Sequence, residues 1–181
     1  VRLRNEYTFI DQTGEIIIRS PFITEHSYGF HDGLTIIKND NKYGFMDRNG
    51  QIIIDPNFDD AAVFCEGLAP VKRGSKYGYI DINGKIVMEP QYDEASTFEK
   101  GMARINTGSK YGWIDKRGKV IIKPRFDRAD FFVEGLANVE IDGKWGYIDR
   151  TGKIVISPQF DWASAFYGGY LSLFRIGDKY C

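Results

Sequence analysis

The sequence predicts an all-β protein, built as a tandem array of five three-stranded β-meander repeats of about 34 residues each. A phenylalanine recurs at a constant spacing, at Phe30, Phe64, Phe98, Phe132 and Phe166. A Lys-aromatic-Gly-aromatic tetrad keeps the same period and begins at Lys42, Lys76, Lys110 and Lys144. Such a period is typical of one supersecondary unit copied along a chain, with each copy covering its neighbour's apolar face. We expect a single repeat domain, 1–181, with copies at approximately 1–29, 30–63, 64–97, 98–131 and 132–165, and a partial or capping repeat at 166–181.

Within one copy the composition indicates three strands, at 67–72, 76–81 and 85–88. The last two are joined by a tight Asp-x-x-Gly turn, in which Asp accepts backbone N–H groups and Gly tolerates a positive φ. The turn recurs with its acid at Asp47, Asp81, Asp115 and Asp149. A proline follows the third strand in every copy, and we expect it to end the sheet because it cannot donate to a ladder.

An aromatic-Asp pair comes next, and a short stretch then leads to the following phenylalanine. We expect this crossing segment to be a turn or a single helical turn. The glycine of each tetrad, at Gly44, Gly78, Gly112 and Gly146, is expected to let a neighbouring backbone or ring approach closely. Both faces of the meander carry apolar residues, so we expect stacked copies to cover both faces.

Taken together, these motifs make the chain similar to the WG-repeat family. The nearest copy is Lys144-Trp145-Gly146-Tyr147-Ile148-Asp149, and the first copy is degenerate because Tyr7-Thr8-Phe9 lacks the glycine. The resemblance implies a β-rich scaffold or binding surface, found largely in bacterial proteins. It brings no catalytic residues that could be carried onto this chain.

Two architectures are compatible with five such copies. The open, solenoid-like stack is favoured because the unit has only three strands and is shorter than a usual propeller blade. The alternative is a closed five-bladed β-propeller, because the chain begins near the end of one first strand and finishes with the missing part, 169–174.

Composition excludes several classes of function. Charges nearly cancel, with 24 Lys plus Arg against 25 Asp plus Glu, so the basic footprint of a nucleic-acid binder is absent. No apolar run reaches the length of about 18 residues that a membrane span needs. The two cysteines fit a reducing, cytoplasmic setting, although localisation otherwise stays open.

No residue pattern indicates an enzyme, a metal site or a cofactor. The repeated acids are interpreted as turn and capping residues, since hydrolysis normally needs two carboxylates in different environments. His26 and His31 lack a metal-ligand spacing. The tetrad lysines are interpreted as solvated strand-edge residues, with a cationic ladder for an acidic partner as the alternative.

The candidate contact residues are those that vary in register on the constant frame. The position after the aromatic-Asp pair is occupied by His26, Asp60, Glu94, Arg128 and Trp162. Tyr167 and Tyr170 are added because aromatic anchors dominate interface energetics. We hypothesise a non-enzymatic binding module or scaffold for a protein partner. The alternatives are a glycan-binding or glycosidase-like propeller and a structural spacer.

Overall fold

The computed structural model describes residues 7–10, 12–20, 29–166, 172–177 and 179–180. These residues form strands and turns, and none of them lies in a helix, so none belongs to a helix that could cross a membrane. The expected all-β tandem architecture is confirmed: small antiparallel sheets follow one another, and no described sheet closes into a barrel. By its packing the chain divides into two compact units, Val1–Gly101 (the N-terminal unit) and Met102–Cys181 (the C-terminal unit).

Ten strands are found among the described residues of the N-terminal unit. They are β1 (Tyr7–Ile10), β2 (Ile16–Ser20), β3 (Leu34–Asn39), β4 (Lys42–Asp47), β5 (Ile52–Phe58), β6 (Asp60–Ala61), β7 (Leu68–Arg73), β8 (Lys76–Asp81), β9 (Ile86–Tyr92) and β10 (Glu94–Ala95). Strands β1 and β2 form a hairpin, β3-β4-β5 form a three-stranded sheet, and β6-β7-β8-β9 form a four-stranded sheet.

The described part of the C-terminal unit holds another ten strands. They are β11 (Met102–Thr107), β12 (Lys110–Asp115), β13 (Val120–Phe126), β14 (Arg128–Ala129), β15 (Leu136–Ile141), β16 (Lys144–Asp149), β17 (Ile154–Phe160), β18 (Trp162–Ala163), β19 (Phe174–Ile176) and β20 (Lys179–Tyr180). The meander β11-β12-β13 is followed by the four-stranded sheet β14-β15-β16-β17 and by the sheet β18-β19-β20.

The crossing segment differs from its expected form. Its first two residues form a short strand that pairs with the following meander, so Asp60 lies opposite Lys72 and Ala61 opposite Val71. The three-stranded meander thus gains a fourth strand, and the predicted helical turn is wrong. The reason is that the backbone groups of these two residues form hydrogen bonds with the edge of β7 that faces away from β8.

The proline does not end the third strand, which is a second correction. In the C-terminal unit Pro124 lies inside β13, within an irregularity where Tyr111 opposes Phe126 and Trp113 opposes Ile122. Three residues of β13 therefore face the single residue Gly112, and a proline is tolerated in such a bulge because its missing N–H is not needed there.

The tetrad glycine lies directly beneath this bulge. A β-carbon at Gly112 would lie 2.5 Å from the carbonyl oxygen of Ile122 and 2.6 Å from the nitrogen of Pro124. At Gly146 the corresponding distances, to Ile156 and Pro158, are 2.5 and 2.7 Å. Only glycine leaves room for a backbone this close, so the bulge proline and the tetrad glycine form one structural feature.

Successive sheets bury their apolar faces against each other. In the N-terminal unit, Phe45 and Phe58 of one sheet share a buried cluster with Val71 and Ile80 of the next. In the C-terminal unit, the equivalent cluster joins Trp113, Ile122 and Phe126 to Ala137, Val139 and Ile148. Each sheet therefore covers one face of its neighbour within the unit.

The periodic phenylalanines pack on the central aromatic residue of the preceding copy. The ring centroids lie 4.7 Å apart for Phe64 on Phe45, 5.0 Å for Phe98 on Tyr79, 5.1 Å for Phe132 on Trp113 and 4.9 Å for Phe166 on Tyr147. Phe30 lies 5.0 Å from Phe9 of the degenerate first copy. Phe64, Phe98 and Phe132 are buried, and Phe30 and Phe166 are half-buried.

Candidate functional site

The acids that open the Asp-x-x-Gly turns are occupied by backbone contacts. Oδ1 of Asp47 accepts the N–H groups of Asn49 and Gln51, at 2.9 and 2.8 Å, and Gly50 closes the turn with φ of +80°. The same pair of contacts is made by Asp81, Asp115 and Asp149. These carboxylates hold their own hairpins together.

Four tetrad lysines, Lys42, Lys76, Lys110 and Lys144, form ion pairs with the acids of the aromatic-Asp pairs. Nζ of Lys42 lies 2.5 Å from Oδ1 of Asp59, the acid of the aromatic-Asp pair. The same ion pair recurs as Lys76–Asp93, Lys110–Asp127 and Lys144–Asp161. The second oxygen of Asp59 accepts the N–H of Gly74 at 2.7 Å, so this acid also holds the first turn of the next copy.

These contacts lower the pKa of several carboxyls. The hydrogen bond from Lys42 is the main cause that holds the pKa of Asp59 below its usual value of 3.8, and the equivalent lysines act in the same way on Asp127 and Asp161. The pKa of Asp47 is lowered chiefly by the N–H of Gln51, and that of Asp149 chiefly by the hydroxyl of Thr151.

We expect the protein to lose stability in acid through these groups. A carboxyl whose folded pKa is depressed stabilises the fold above its unfolded pKa and loses that contribution as the pH falls through the folded value. The melting temperature should therefore hold from neutral pH down to about pH 5 and fall below about pH 4. Asp59→Asn should melt lower near neutrality and show a shallower acid limb in a series of thermal melts. An acid limb as steep as that of the wild type would contradict this role for Asp59.

The four described candidate residues after the aromatic-Asp pair open the short strands β6, β10, β14 and β18. Asp60 is half-buried and accepts the hydroxyl of Tyr77 at 2.5 Å, so it serves its own sheet. The pKa of Tyr77 is raised, chiefly by burial and secondly by the hydrogen bond to Asp60. Glu94 is exposed, and the exposed Arg128 lies 3.4 Å from Glu140. His26, Tyr167 and Tyr170 lie outside the described residues.

Trp162 lies in a cleft of about 330 Å³ in the C-terminal unit. One wall comes from the segment after β14 and the other from the equivalent segment of the next copy. The lining residues are Asp130, Phe131, Val133, Trp162, Ala163, Ser164 and Ala165. Phe131 is 47% exposed and Trp162 is 39% exposed, so the cleft presents two aromatic side chains to solvent.

Arg104 holds the Phe131 side of the cleft. Its guanidinium lies 4.6 Å from the centroid of the Phe131 ring and 5.2 Å from that of Tyr111, and it donates a hydrogen bond to the carbonyl oxygen of Ala129. A cation over an aromatic face is attracted to it, so the Phe131 ring is restrained although it is exposed.

Asn138 joins the two walls from below. Its Nδ2 donates to Oδ2 of Asp130 at 2.6 Å and to the carbonyl oxygen of Ala163 at 2.9 Å, while the side chain is 1% exposed. Asn138 stands at the register position of Arg104 in the next copy. One strand position in two successive copies therefore supports the cleft from beneath.

The repeat itself is recognised by comparison with known families. The model of the WG containing repeat matches four consecutive segments, residues 43–77, 77–111, 111–145 and 145–180. The chain belongs to the WG-repeat family. The resemblance drawn from the tetrad and turn motifs is confirmed, and the matched segments begin at Tyr43, after the degenerate first copy.

Several solved structures are similar to this WG-repeat chain. A protein of unknown function from Bacteroides caccae is 16% identical with a TM-score of 0.38, and the match covers 83% of this chain and 68% of that one. A plant lectin with two metal binding sites from Cicer arietinum is 13% identical with a TM-score of 0.30, covering 71% and 84%. Hemopexin fold protein CP4 from cow pea is 15% identical with a TM-score of 0.30, covering 73% and 88%. No curated protein matches the chain.

Trp162 is the one lining residue of the WG-repeat cleft that was a candidate from the sequence; Phe131 and the supporting residues Arg104 and Asn138 were not. These residues stand at positions that vary when the copies are aligned with each other. The third position of the first long strand runs Ile36, Pro70, Arg104, Asn138, and the residue before the anchoring phenylalanine runs Val63, Thr97, Phe131, Ala165. Both positions vary, but their closeness in space follows only from the pairing of the short strand. Over the described part of the chain, no three His, Cys, Asp or Glu side chains are grouped to hold a metal ion.

Proposed function

We propose that this WG-repeat chain is a non-enzymatic binding module that engages a protein partner through the cleft around Phe131 and Trp162. The observation that carries the proposal is a pair of exposed aromatic side chains, at positions that vary between copies, held in a restrained cleft. Buried aromatic anchors contribute most of the energy of many interfaces, and a cleft of this size accepts one or two partner side chains.

The acids support a binding role over a hydrolytic one. Asp47, Asp81, Asp115 and Asp149 each accept two backbone N–H groups of their own turn, and Asp59, Asp127 and Asp161 are paired with lysine. Glycoside hydrolysis instead uses two carboxyls that differ in environment and flank one bond. Acids that make the same contacts in every copy do not provide two carboxyls in different environments.

The polar groups of the cleft favour a side-chain ligand over a sugar. The hydroxyl of Ser164 donates to the carbonyl oxygen of Ala165 and accepts the N–H of Leu173, and Oδ2 of Asp130 accepts Nδ2 of Asn138. Sugar recognition needs several unoccupied donors and acceptors. The remaining lining is aromatic and aliphatic, which suits apolar partner side chains.

Capture from a lysate of the native source, followed by affinity measurement with the purified partner, tests this proposal. Trp162→Ala should weaken binding of the identified partner by roughly 30-fold, the effect of losing an anchor worth about 2 kcal/mol. Phe131→Ala should act in the same direction. Ile10→Ala, which truncates a side chain that is 62% exposed and lies outside the cleft, should bind like the wild type.

A glycan array run in parallel distinguishes a protein partner from a glycan ligand. Specific sugar binding that is abolished by Trp162→Ala would replace the protein partner with a glycan. Partner binding that survives both aromatic substitutions unchanged would show that the cleft is not the contact surface.

A further inference from the structure

Part of each third strand stays uncovered, contrary to the expectation that stacking buries both faces. The middle residue of its apolar triplet is exposed in every matched copy: Ile53 by 39%, Val87 by 43%, Ile121 by 39% and Val155 by 52%. The residue before it is also exposed at Ile52, Val120 and Ile154. The expectation is wrong here because the third strand lies at the edge of its sheet, and only some of its residues, such as Ile54 and Ile122, enter the clusters that join successive sheets.

The third strands that carry these exposed residues are in contact with the next copy through a neighbouring buried residue. In the N-terminal unit a β-carbon at Gly84 would lie 3.2 Å from the side chain of Ile54, so the turn of one copy rests on the third strand of the copy before it. In the C-terminal unit Gly152 has the same relation to Ile122, at 3.0 Å, and Nη2 of Arg125 donates to the carbonyl oxygen of Gly152 at 2.6 Å. Each unit therefore carries exposed apolar residues at the same strand position of two successive copies, and we call each such set a ridge.

The two ridges carry opposite charge. In the N-terminal unit, residues 47–57 and 81–91 each hold two acids and one base, with Asp55 and Glu89 exposed beside the apolar residues. We call this the acidic ridge: Ile52, Ile53, Asp55, Lys85, Val87 and Glu89, of which Lys85 is the one base. In the C-terminal unit, residues 115–125 hold five bases and one acid, and residues 149–159 hold two bases and one acid. We call this the basic ridge: Lys119, Val120, Ile121, Lys123, Lys153, Ile154 and Val155.

The charge difference is not required by the fold. The same strand position is Asp55, Glu89 and Lys123 in three copies that share one backbone pattern. The turn acids beside the ridge, Asp115 and Asp149, are held by backbone N–H groups in the C-terminal unit as their equivalents are in the N-terminal unit. The difference therefore lies in residues that project from a constant frame.

We propose that the acidic ridge of one molecule binds the basic ridge of a second copy of this chain. Each ridge offers exposed β-branched side chains for mutual burial, and the two ridges carry net charges of opposite sign. A purely anionic polymer would match the charge of the basic ridge but leave its aliphatic residues uncovered. Because every molecule carries both ridges, reciprocal contact closes a dimer, and contact that is not reciprocal extends a chain of molecules.

Sedimentation velocity on the full chain over a range of micromolar concentrations tests this association. We expect the mean mass to rise above that of a monomer with concentration, and the association to weaken as salt is added, since exposed charges are screened. A monomer at every concentration in low salt would overturn the proposal.

Charge reversal makes the test specific. Lys119→Glu with Lys123→Glu reverses the charge of two of the three lysines of the basic ridge, and Asp55→Lys with Glu89→Lys reverses the two acids of the acidic ridge. Each double variant alone should remain monomeric, whereas an equimolar mixture of the two should associate again. Circular dichroism checks that both are folded, and all four positions are exposed.

A matched control changes charge elsewhere. Glu99→Lys with Glu134→Lys alters the net charge by as much as the reversal of the acidic ridge, at exposed positions outside both ridges. This control and Trp162→Ala should associate like the wild type, which keeps the test separate from the cleft. Association that survives either reversal, or a mixture that stays monomeric, would overturn the proposal.

Discussion

Gly112→Val should lower the free energy of unfolding by about 3 kcal/mol or more. The new β-carbon would meet the carbonyl oxygen of Ile122 at 2.5 Å and the nitrogen of Pro124 at 2.6 Å. Both are backbone atoms inside β13, so no side-chain rotation relieves the contact. The bulge must open, and with it the pairing that places Phe126 and Ile122 in the core of the C-terminal unit.

Urea denaturation followed by tryptophan fluorescence measures this effect, because Trp113 and Trp145 are both buried in the same unit. Gly112→Ala should fall between the wild type and the valine variant. Gly143→Ala is the matched control, since a β-carbon there meets nothing within 4 Å and only its φ of +76° is unfavourable. It should cost about 1–2 kcal/mol, the penalty for a left-handed backbone at alanine. A valine variant as stable as the wild type would remove the close-packing explanation.

The sequence was sufficient for the period, the fold class and the Asp-x-x-Gly hairpins. These features depend on local rules, such as an acid that accepts the N–H groups of its own turn and a glycine with positive φ. The repetition strengthened each inference, because the same local pattern had to serve several copies. The family followed from the same motifs.

The role of the proline was misjudged because two features were considered separately. The tetrad glycine and the proline keep one constant spacing in every matched copy, as in Gly112 and Pro124. Proline alone suggests the end of a strand, and glycine alone suggests a weak strand. Together they form a bulge that folds over the glycine, which depends on cross-strand register rather than on either residue's own preference.

The cleft could be predicted only in part. Trp162 was found because it is a large aromatic residue at a variable position. Arg104 and Asn138 were not, because their contacts reach Ala129 and Ala163, far along the chain in the next copy. The short strands that bring these residues together are two residues long, which is too short to produce a periodic pattern in the sequence.

Phe98→Ala should cost about 3–5 kcal/mol of unfolding free energy, the range for removing a fully buried phenylalanine. Phe98 is 0% exposed and its ring lies 5.0 Å from that of Tyr79, which belongs to the preceding copy and is also 0% exposed. The substitution removes a ring that covers the central aromatic residue of its neighbour and leaves a cavity beside it. The loss of unfolding free energy should exceed the transfer free energy of the side chain alone. The backbone hydrogen bonds of the flanking sheets prevent these sheets from closing the cavity.

The chain supplies a control of the same residue type. Phe131 is 47% exposed, so Phe131→Ala leaves no buried cavity and should change stability by less than about 1 kcal/mol, the value of an exposed contact with Arg104. The comparison separates the effect of burial from the effect of losing an aromatic ring.

The claim that each copy covers the apolar face of its neighbour is tested most directly by urea unfolding of Phe98→Ala beside Phe131→Ala, followed by circular dichroism. We expect the free energy of unfolding to fall by about 3–5 kcal/mol in Phe98→Ala and to change little in Phe131→Ala. Equal stability of the Phe98 variant and the wild type would contradict it.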